Sequence, residues 1–418
     1  MKLCTFAPPM KRILIIYAML VAACMMLFGL PASAEVVDST VTVSLVTCSP
    51  GQETYELYGH TGLRVRGSVP RPYDVVFNYG VFDFSTSHFA WRFALGETDY
   101  MVLPVDFGLF MEEYRQRGSS VTEQVLNLQP YEADTLVRDL WANCLPQNRV
   151  YRYNFFTNNC TTKSRDMIET HVDGAVVYPV RRPRYTYRQM VHQYTRLHPW
   201  AQEGNDLLLG AEADTLIGQH EEMFLPEYLM RYADSAMICS VRGAFRPLVK
   251  ETNELLAANV QAQQREADSL SSFSVSPRAL GWIVVALSLL VNVWELRRRK
   301  LCWPVDALTL ALQGIMGIVI TFMVLFSTHP TVGSNWQVWV LNPLPLVFLW
   351  WVVQADRRML RHQYHTVACV LLGIFLIGMP LLHQSFSALI LPLTVAFLLR
   401  SIVHLILTRH GSLRNHKS

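Results

Sequence analysis

Cys160 stands in the run Phe155-Phe156-Thr157-Asn158-Asn159-Cys160-Thr161-Thr162, and His60 stands far upstream in Tyr58-Gly59-His60-Thr61-Gly62. A thiol at a helix start and an imidazole at a strand edge are the two halves of a cysteine–histidine nucleophilic centre. The reactive form is the thiolate, and an ordinary cysteine at neutral pH is mostly thiol. Two devices lower its pKa: the positive end of a helix and a neighbouring imidazole that shares the proton as an ion pair. Asn158 and Asn159 are favoured helix caps, so a helix is expected to begin at Cys160. Lys163 and Arg165 add positive charge to its first turns. A histidine base needs a third group to set its tautomer. Asn78, in Val75-Val76-Phe77-Asn78-Tyr79-Gly80, is the expected partner, with Asp83 as the substitute. Each residue alone also has an ordinary reading, as a buried or bridged cysteine, a turn histidine or a strand-end amide.

Short elements position these groups. Val41 to Val46 reads as a strand from its β-branched content. Thr61–Arg66 and Asp74–Tyr79 alternate polar and apolar residues around Arg71-Pro72, which predicts a hairpin. Val121–Leu128 reads as a further strand, Tyr131–Cys144 as a helix ending at Pro146, and Val150–Phe155 as the last strand. A helix from Cys160 to Val172 follows and stops at Gly174. Residues 181 to 250 read as helical, and residues 251–278 as a polar helical linker. The exported domain is thus expected over residues 35–250.

Composition says where this domain works. Hydrophobic residues make up 51% of 418 and charged residues only 17%, against about 25% charged in ordinary globular chains. A net charge of +3 is too weak to imply a nucleic-acid partner. Lys11 and Arg12, an apolar run to Leu30 and Ala32-Ser33-Ala34 predict a signal peptide over residues 1–34. Apolar runs at about 279–296, 305–327, 338–354, 365–382 and 386–407 each approach the length a bilayer core needs. Basic residues follow the first, third and fifth runs (Arg297 to Lys300; Arg357, Arg358 and Arg361; Arg409, Arg414 and Lys417), and the loops at 328–337 and 383–385 have none. The positive-inside rule predicts five spans over 279–408, an exported N-terminal domain and a cytoplasmic tail over 409–418. Cys48, Cys144, Cys160 and Cys239 would face the oxidising side, either all paired or as one disulfide and two free thiols. His88, His171, His192 and His198 show no metal-ligand spacing with any cysteine, so no metal and no other cofactor is expected. The aromatic run Phe82, Phe84, Phe89, Trp91 and Phe93 is expected as core and lid packing.

Three segments together resemble one bacterial family, the Lnb-type proteins with an N-terminal periplasmic domain long catalogued as a domain of unknown function. They are Tyr58-Gly59-His60-Thr61-Gly62-Leu63-Arg64-Val65, Phe77-Asn78-Tyr79-Gly80-Val81-Phe82-Asp83-Phe84, and Tyr153 through Asp166. The segments Glu222-Met223-Phe224-Leu225-Pro226 and His329-Pro330 to Asn335-Trp336 are also similar to that family. The resemblance implies an α+β extracytoplasmic domain, similar to circularly permuted papain-like NlpC/P60 relatives, with an antiparallel sheet plus helices, followed by a five-helix transmembrane bundle. It also implies lipoprotein N-acylation in the bacterial inner membrane. A phospholipid acyl donor would load Cys160, and a diacylated lipoprotein acceptor would take the acyl chain on its N-terminal amine. By the same resemblance Cys160, His60 and Asn78 would be catalytic, and Arg165 and Asp166 match the family's pattern. Tyr58, Asn159, Arg165 and Asp166 are the expected substrate-binding residues, with Asn159 or main-chain N–H groups at the helix start holding the oxyanion. Lys163 and Ser164 replace the family's usual Arg-Pro, which leaves the nucleophile untouched but not any binding role of the first arginine. Two rival readings use the same residues: a tethered cysteine peptidase or amidase acting on cell-wall peptides, and a non-enzymatic envelope assembly factor whose cysteines form disulfides.

Overall fold

The computed structural model describes residues 41–68, 71–82, 88–259 and 275–414. The expected signal peptide and Asp83 lie outside these residues. A seven-stranded antiparallel sheet forms the centre of the N-terminal domain. Its strands are β1 (Thr42–Cys48), β2 (His60–Gly67), β3 (Tyr73–Val81), β4 (Asp99–Asp106), β5 (Val121–Leu126), β6 (Val150–Arg152) and β10 (Val249–Leu256), in the order β10-β5-β1-β2-β3-β4-β6. A small second sheet holds β7 (Ala175–Val177), β8 (Met237–Cys239) and β9 (Phe245–Pro247). The helices of this domain are α1 (Phe89–Leu95), α2 (Phe107–Arg117), α3 (Pro130–Asn143), α4 (Cys160–His171), α5 (Tyr187–Thr195), α6 (Pro199–Leu208), α7 (Gln219–Glu222) and α8 (Pro226–Ser235).

Alternation along the strands sorts side chains onto two faces. Leu45, Leu63 and Phe77 point into the larger core, where Leu136 and Leu140 of α3 and Ile168 of α4 cover them. Val46, Cys48 and Val76 point the other way, against Phe110 and Tyr114 of α2. The expected hairpin is β2–β3, with Leu63 opposite Phe77. Val150–Phe155 stops as a strand at Arg152, because Asn154 folds back onto Asn158 through two backbone hydrogen bonds. It is not the last strand. β8, β9 and the start of β10 interrupt the region expected to be helical, and β10 runs into the expected helical linker. Composition misleads there: the run rich in Ala and Gln begins only at Ala257, and β5 needs an outer partner to satisfy its edge amides.

Five helices of the C-terminal part are long and apolar enough to cross a membrane: Pro277–Arg298, Trp303–Phe326, Trp336–Arg357, Gln363–Leu381 and Ile390–Thr408. Their regular α-helical segments are α9 (Pro277–Arg298), α10 (Trp303–Phe326), α11 (Leu344–Arg357), α12 (Gln363–Gly378) and α13 (Ile390–Arg414). The third span is broken between Trp339 and Leu344, where Pro343 stands, and Pro345 occupies the first turn of the helix that follows. Gln313 of α10 repairs part of the break by donating Nε2–H to Val340 O at 2.8 Å.

The two parts interlock. The loops without lysine or arginine are the ones that touch the N-terminal domain. Thr328 donates its N–H to Leu95 O at 2.9 Å, and His329 Nε2 bonds Phe93 O at 2.7 Å. Gln337 Nε2 donates to Asp206 O at 2.7 Å, and Asp214 accepts the Ser385 N–H at 3.0 Å. Glu203 accepts the N–H groups of Ala388 and Leu389, at 2.9 and 3.3 Å, just ahead of the last span. Behind these contacts lies Arg188, which is buried and bonds Asp206, Asp214 and the carbonyls of Leu209 and Gly210. Trp91 and Phe93, expected as core or lid, are exposed on α1, and the Trp91 ring lies 4.4 Å from that of Phe322 on α10.

Candidate active site

Helix α4 begins at Cys160 because Asn159 caps it. Its Oδ1 accepts the N–H groups of Thr161 and Thr162, both at 2.9 Å, and Thr162 Oγ1 accepts the Asn159 N–H in return at 2.8 Å. This is the reciprocal capping box. Thr161 Oγ1 lies 3.2 Å from Thr61 Oγ1, which pins the helix start to β2 one residue after His60. The Cys160 N–H has no acceptor among the described residues.

His60 opens β2 with a stacked neighbour, Tyr114, at 6.4 Å. Its Nε2–H donates to Asn78 Oδ1 at 2.7 Å, so Nδ1 is the ring nitrogen left to exchange a proton with the thiol. Gly80 makes the close approach possible. Its φ is +125°, and a Cβ there would lie 3.4 Å from His60 Cε1 and 3.7 Å from the Cys160 Cβ. A side chain at this position would therefore stand between acid and base in a backbone conformation that only glycine adopts freely.

The electrostatics of the pair run in one direction. Burial opposes ionisation of Cys160, but the His60 charge, its hydrogen bond, the Thr61 N–H and the Thr161 hydroxyl outweigh it, and the thiol pKa falls below its ordinary value. Burial likewise opposes the His60 imidazolium, but the Cys160 sulfur and the Asn78 carbonyl outweigh that, and its pKa rises. Both shifts favour thiolate–imidazolium. Burial pushes the Cys48 thiol well up and the Cys144 thiol up to about 11. All the described cysteines are free, so the expected pairing of the exported ones does not occur.

Replacing His60 with alanine removes the two largest contributions that lower the thiol pKa and leaves burial unopposed by them. Alkylation of Cys160 by iodoacetamide, followed against pH, is therefore expected to have its midpoint below the ordinary thiol value in the wild type. In His60→Ala the midpoint moves above that value. An unmoved midpoint would separate the two groups chemically.

The substrate-binding roles expected from the sequence divide. Asn159 is buried and has no free polar atom: besides capping, its Nδ2 donates to Phe155 O and Phe224 O, both at 2.8 Å. Arg165 is buried too, with Nε and Nη2 on Asp166 Oδ1 and Nη1 on His220 O. Both are structural, which corrects their expected contact with substrate. Asp166 is exposed but holds Arg165. Tyr58 is half-buried; its hydroxyl accepts from Asn205 Nδ2 at 2.8 Å, and its ring packs on Phe155 at 4.7 Å. It joins the site to α6 and thus to the membrane part.

Tyr100, Tyr151 and Tyr153, which were not singled out, sit close enough to Cys160 for its charge to act on them, as it also does on Tyr114 among smaller causes. Burial first, and the sulfur second, push Tyr100 up to about 12 and raise Tyr151 further; Tyr153 is raised by burial, then by Tyr100, then by the sulfur. All three therefore remain neutral phenols. Tyr100 and Tyr153 stack at 4.0 Å, and Phe82 stacks on Tyr100 at 4.8 Å. The Tyr151 hydroxyl is buried with no hydrogen-bond partner among the described residues. The spacing of Tyr151 and Tyr153, two apart next to the nucleophile's loop, was the available signal.

Two family models match the chain. The Lnb N-terminal periplasmic domain covers residues 33–193, and the Lnb transmembrane domain covers residues 268–411. No curated protein matches it, and no solved structure does.

Proposed function

This chain belongs to the Lnb family, a membrane protein with an extracytoplasmic N-terminal domain, and from that premise we propose that it is a thiol-dependent lipoprotein N-acyltransferase. The observation that carries the reading is the Cys160–His60–Asn78 arrangement, with a lowered thiol and a raised imidazole, in a domain locked to the spans. Both substrates of such an enzyme are lipids, which gives the interlock a purpose.

The reaction has two halves. The Cys160 thiolate attacks the ester carbonyl of a phospholipid. The tetrahedral oxyanion collapses, the C–O bond breaks, and the His60 imidazolium gives its proton to the departing lysophospholipid oxygen. The acyl chain is now a thioester on Cys160. The α-amine of a lipoprotein's diacylglyceryl-cysteine then attacks that carbonyl and yields its proton to His60, and the thiolate leaves. Asn78 keeps the ring in the tautomer that presents Nδ1 to sulfur. The Cys160 N–H and the Tyr151 hydroxyl are the donors assigned to the oxyanion.

Phospholipid with an isotopically labelled acyl chain, supplied without acceptor, should leave the label on Cys160, detectable by mass spectrometry of the digested protein. Subsequent addition of a diacylated lipopeptide should move the label to its N-terminal amine. A label that never visits Cys160, or one released only as free acid in the presence of acceptor, overturns the transferase. Release of peptides from cell-wall fragments in its place would favour the amidase. Tyr151→Phe is expected to slow transfer by about a hundredfold, the usual effect of losing one oxyanion donor, while the alkylation rate of Cys160 stays unchanged. Equal transfer rates in Tyr151→Phe and wild type would remove the hydroxyl from the mechanism.

A further inference from the structure

The membrane part contains a second polar site, at the pole away from the catalytic domain. Asp356 lies in the last turn of α11, His365 in the first turn of α12 and His404 well along α13. Their ligating atoms lie within 4.8 Å of one another, and all three residues are buried. Both oxygens of Asp356, both ring nitrogens of His404 and Nε2 of His365 lack a hydrogen bond, although His404 Nδ1 is only 2.8 Å from Asp356 Oδ1. Polar atoms with no water at hand must find partners inside the protein, and ionisable residues in spans are rare and paired. Here the pairing is incomplete.

The neighbouring charges do not complete it. Arg400, one turn before His404, is committed to Glu295, Asp306 and Asn292. This pole therefore buries three carboxylates, Glu295, Asp306 and Asp356, against the single guanidinium of Arg400. Two protonated histidines would make up the difference, but the rings of His365 and His404 stack at 3.8 Å, a separation that two imidazolium charges would oppose.

The geometry points to a site for a divalent transition-metal ion of the zinc class, held by Asp356, His365 and His404. Two imidazoles and one carboxylate form a donor set suited to that class and leave a position open. A charge of two balances the excess carboxylates. Ser401 Oγ lies 3.3 Å from His365 Nδ1, the kind of outer contact that fixes a ligand histidine's tautomer and turns its Nε2 toward the metal. The three ligands come from three different helices, so the ion would tie α11, α12 and α13 together at the pole away from the catalytic domain.

Full-length protein in detergent, with any affinity tag removed, is stripped by chelator and titrated with Co²⁺ as the optical probe, then with Zn²⁺. One equivalent of Co²⁺ should bind with the visible bands of a low-coordinate site, and Zn²⁺ should displace it and raise the thermal midpoint. Asp356→Asn and His404→Ala should lose the bands and the shift, whereas His220→Ala, in the exposed Asp166–Glu169–His220 cluster, should keep both. Ser401→Ala retains every ligand and should bind about tenfold more weakly, which keeps the test decisive if a ligand variant fails to fold. Substoichiometric binding by the wild type, unchanged binding in Asp356→Asn, or loss in His220→Ala overturns the site.

Discussion

Cys160→Ala is expected to lower lipoprotein N-acylation by at least on the order of 10⁴-fold, as removal of a nucleophile does elsewhere. The size follows from the two-step chemistry. Without sulfur there is no thioester, and the remaining donors can only hold a phospholipid and an amine side by side. Direct attack by the amine on an ester would then need His60 to act alone. Mass spectrometry of lipoprotein N-termini from cells carrying the variant as the sole copy should show diacylated forms where the wild type gives triacylated ones. Cys144→Ala is the matched control: that thiol is pushed up to about 11 by burial and should be dispensable. Normal triacylation in the Cys160 variant would remove the nucleophile and the function with it.

Arg188→Ala is expected to destabilise the protein by about 3–5 kcal/mol, the range for removing one partner from a buried ion pair. Arg188 is 1% exposed and serves Asp206 at 2.8 Å, Asp214 at 3.0 Å and two carbonyls. Its loss leaves buried carboxylate and carbonyl groups facing each other at the junction of α5, α6 and the outer loops. The comparison is Arg231→Ala on an exposed helical pair with Glu227, where less than about 1 kcal/mol is expected. Thermal unfolding of both variants in the same detergent, followed by tryptophan fluorescence, reads the difference. Equal midpoints would mean that water reaches the Arg188 network.

The parts of this structure legible in the sequence are those written locally. Asn159 before a polar first turn specifies a helix start at Cys160, alternation around Arg71-Pro72 specifies the β2–β3 hairpin, and apolar length with basic flanks specifies the spans. The unread parts depend on distant main-chain atoms or on mixed signals. Arg165 and Asn159 resembled binding groups because their acceptors, the carbonyls of His220 and Phe224, belong to backbone that no side chain announces. β4 carries Pro104 in mid-strand, which breaks a strand reading. β10 adjoins a helix-like composition and became a strand because β5 offered it an edge. Asp356, His365 and His404 stand apart along the chain and meet only because three helices pack, so no sequence spacing marks them.

The bond between Glu203 and the amides ahead of the last span has a consequence for anyone exchanging parts between relatives. Although two family models describe the chain, each half supplies capping atoms that the other's backbone requires. A chimera would therefore have to carry the 203–214 stretch and the 384–389 turn from the same parent, as lock and key are cut together, or the transplanted half would arrive with its hinge pins missing.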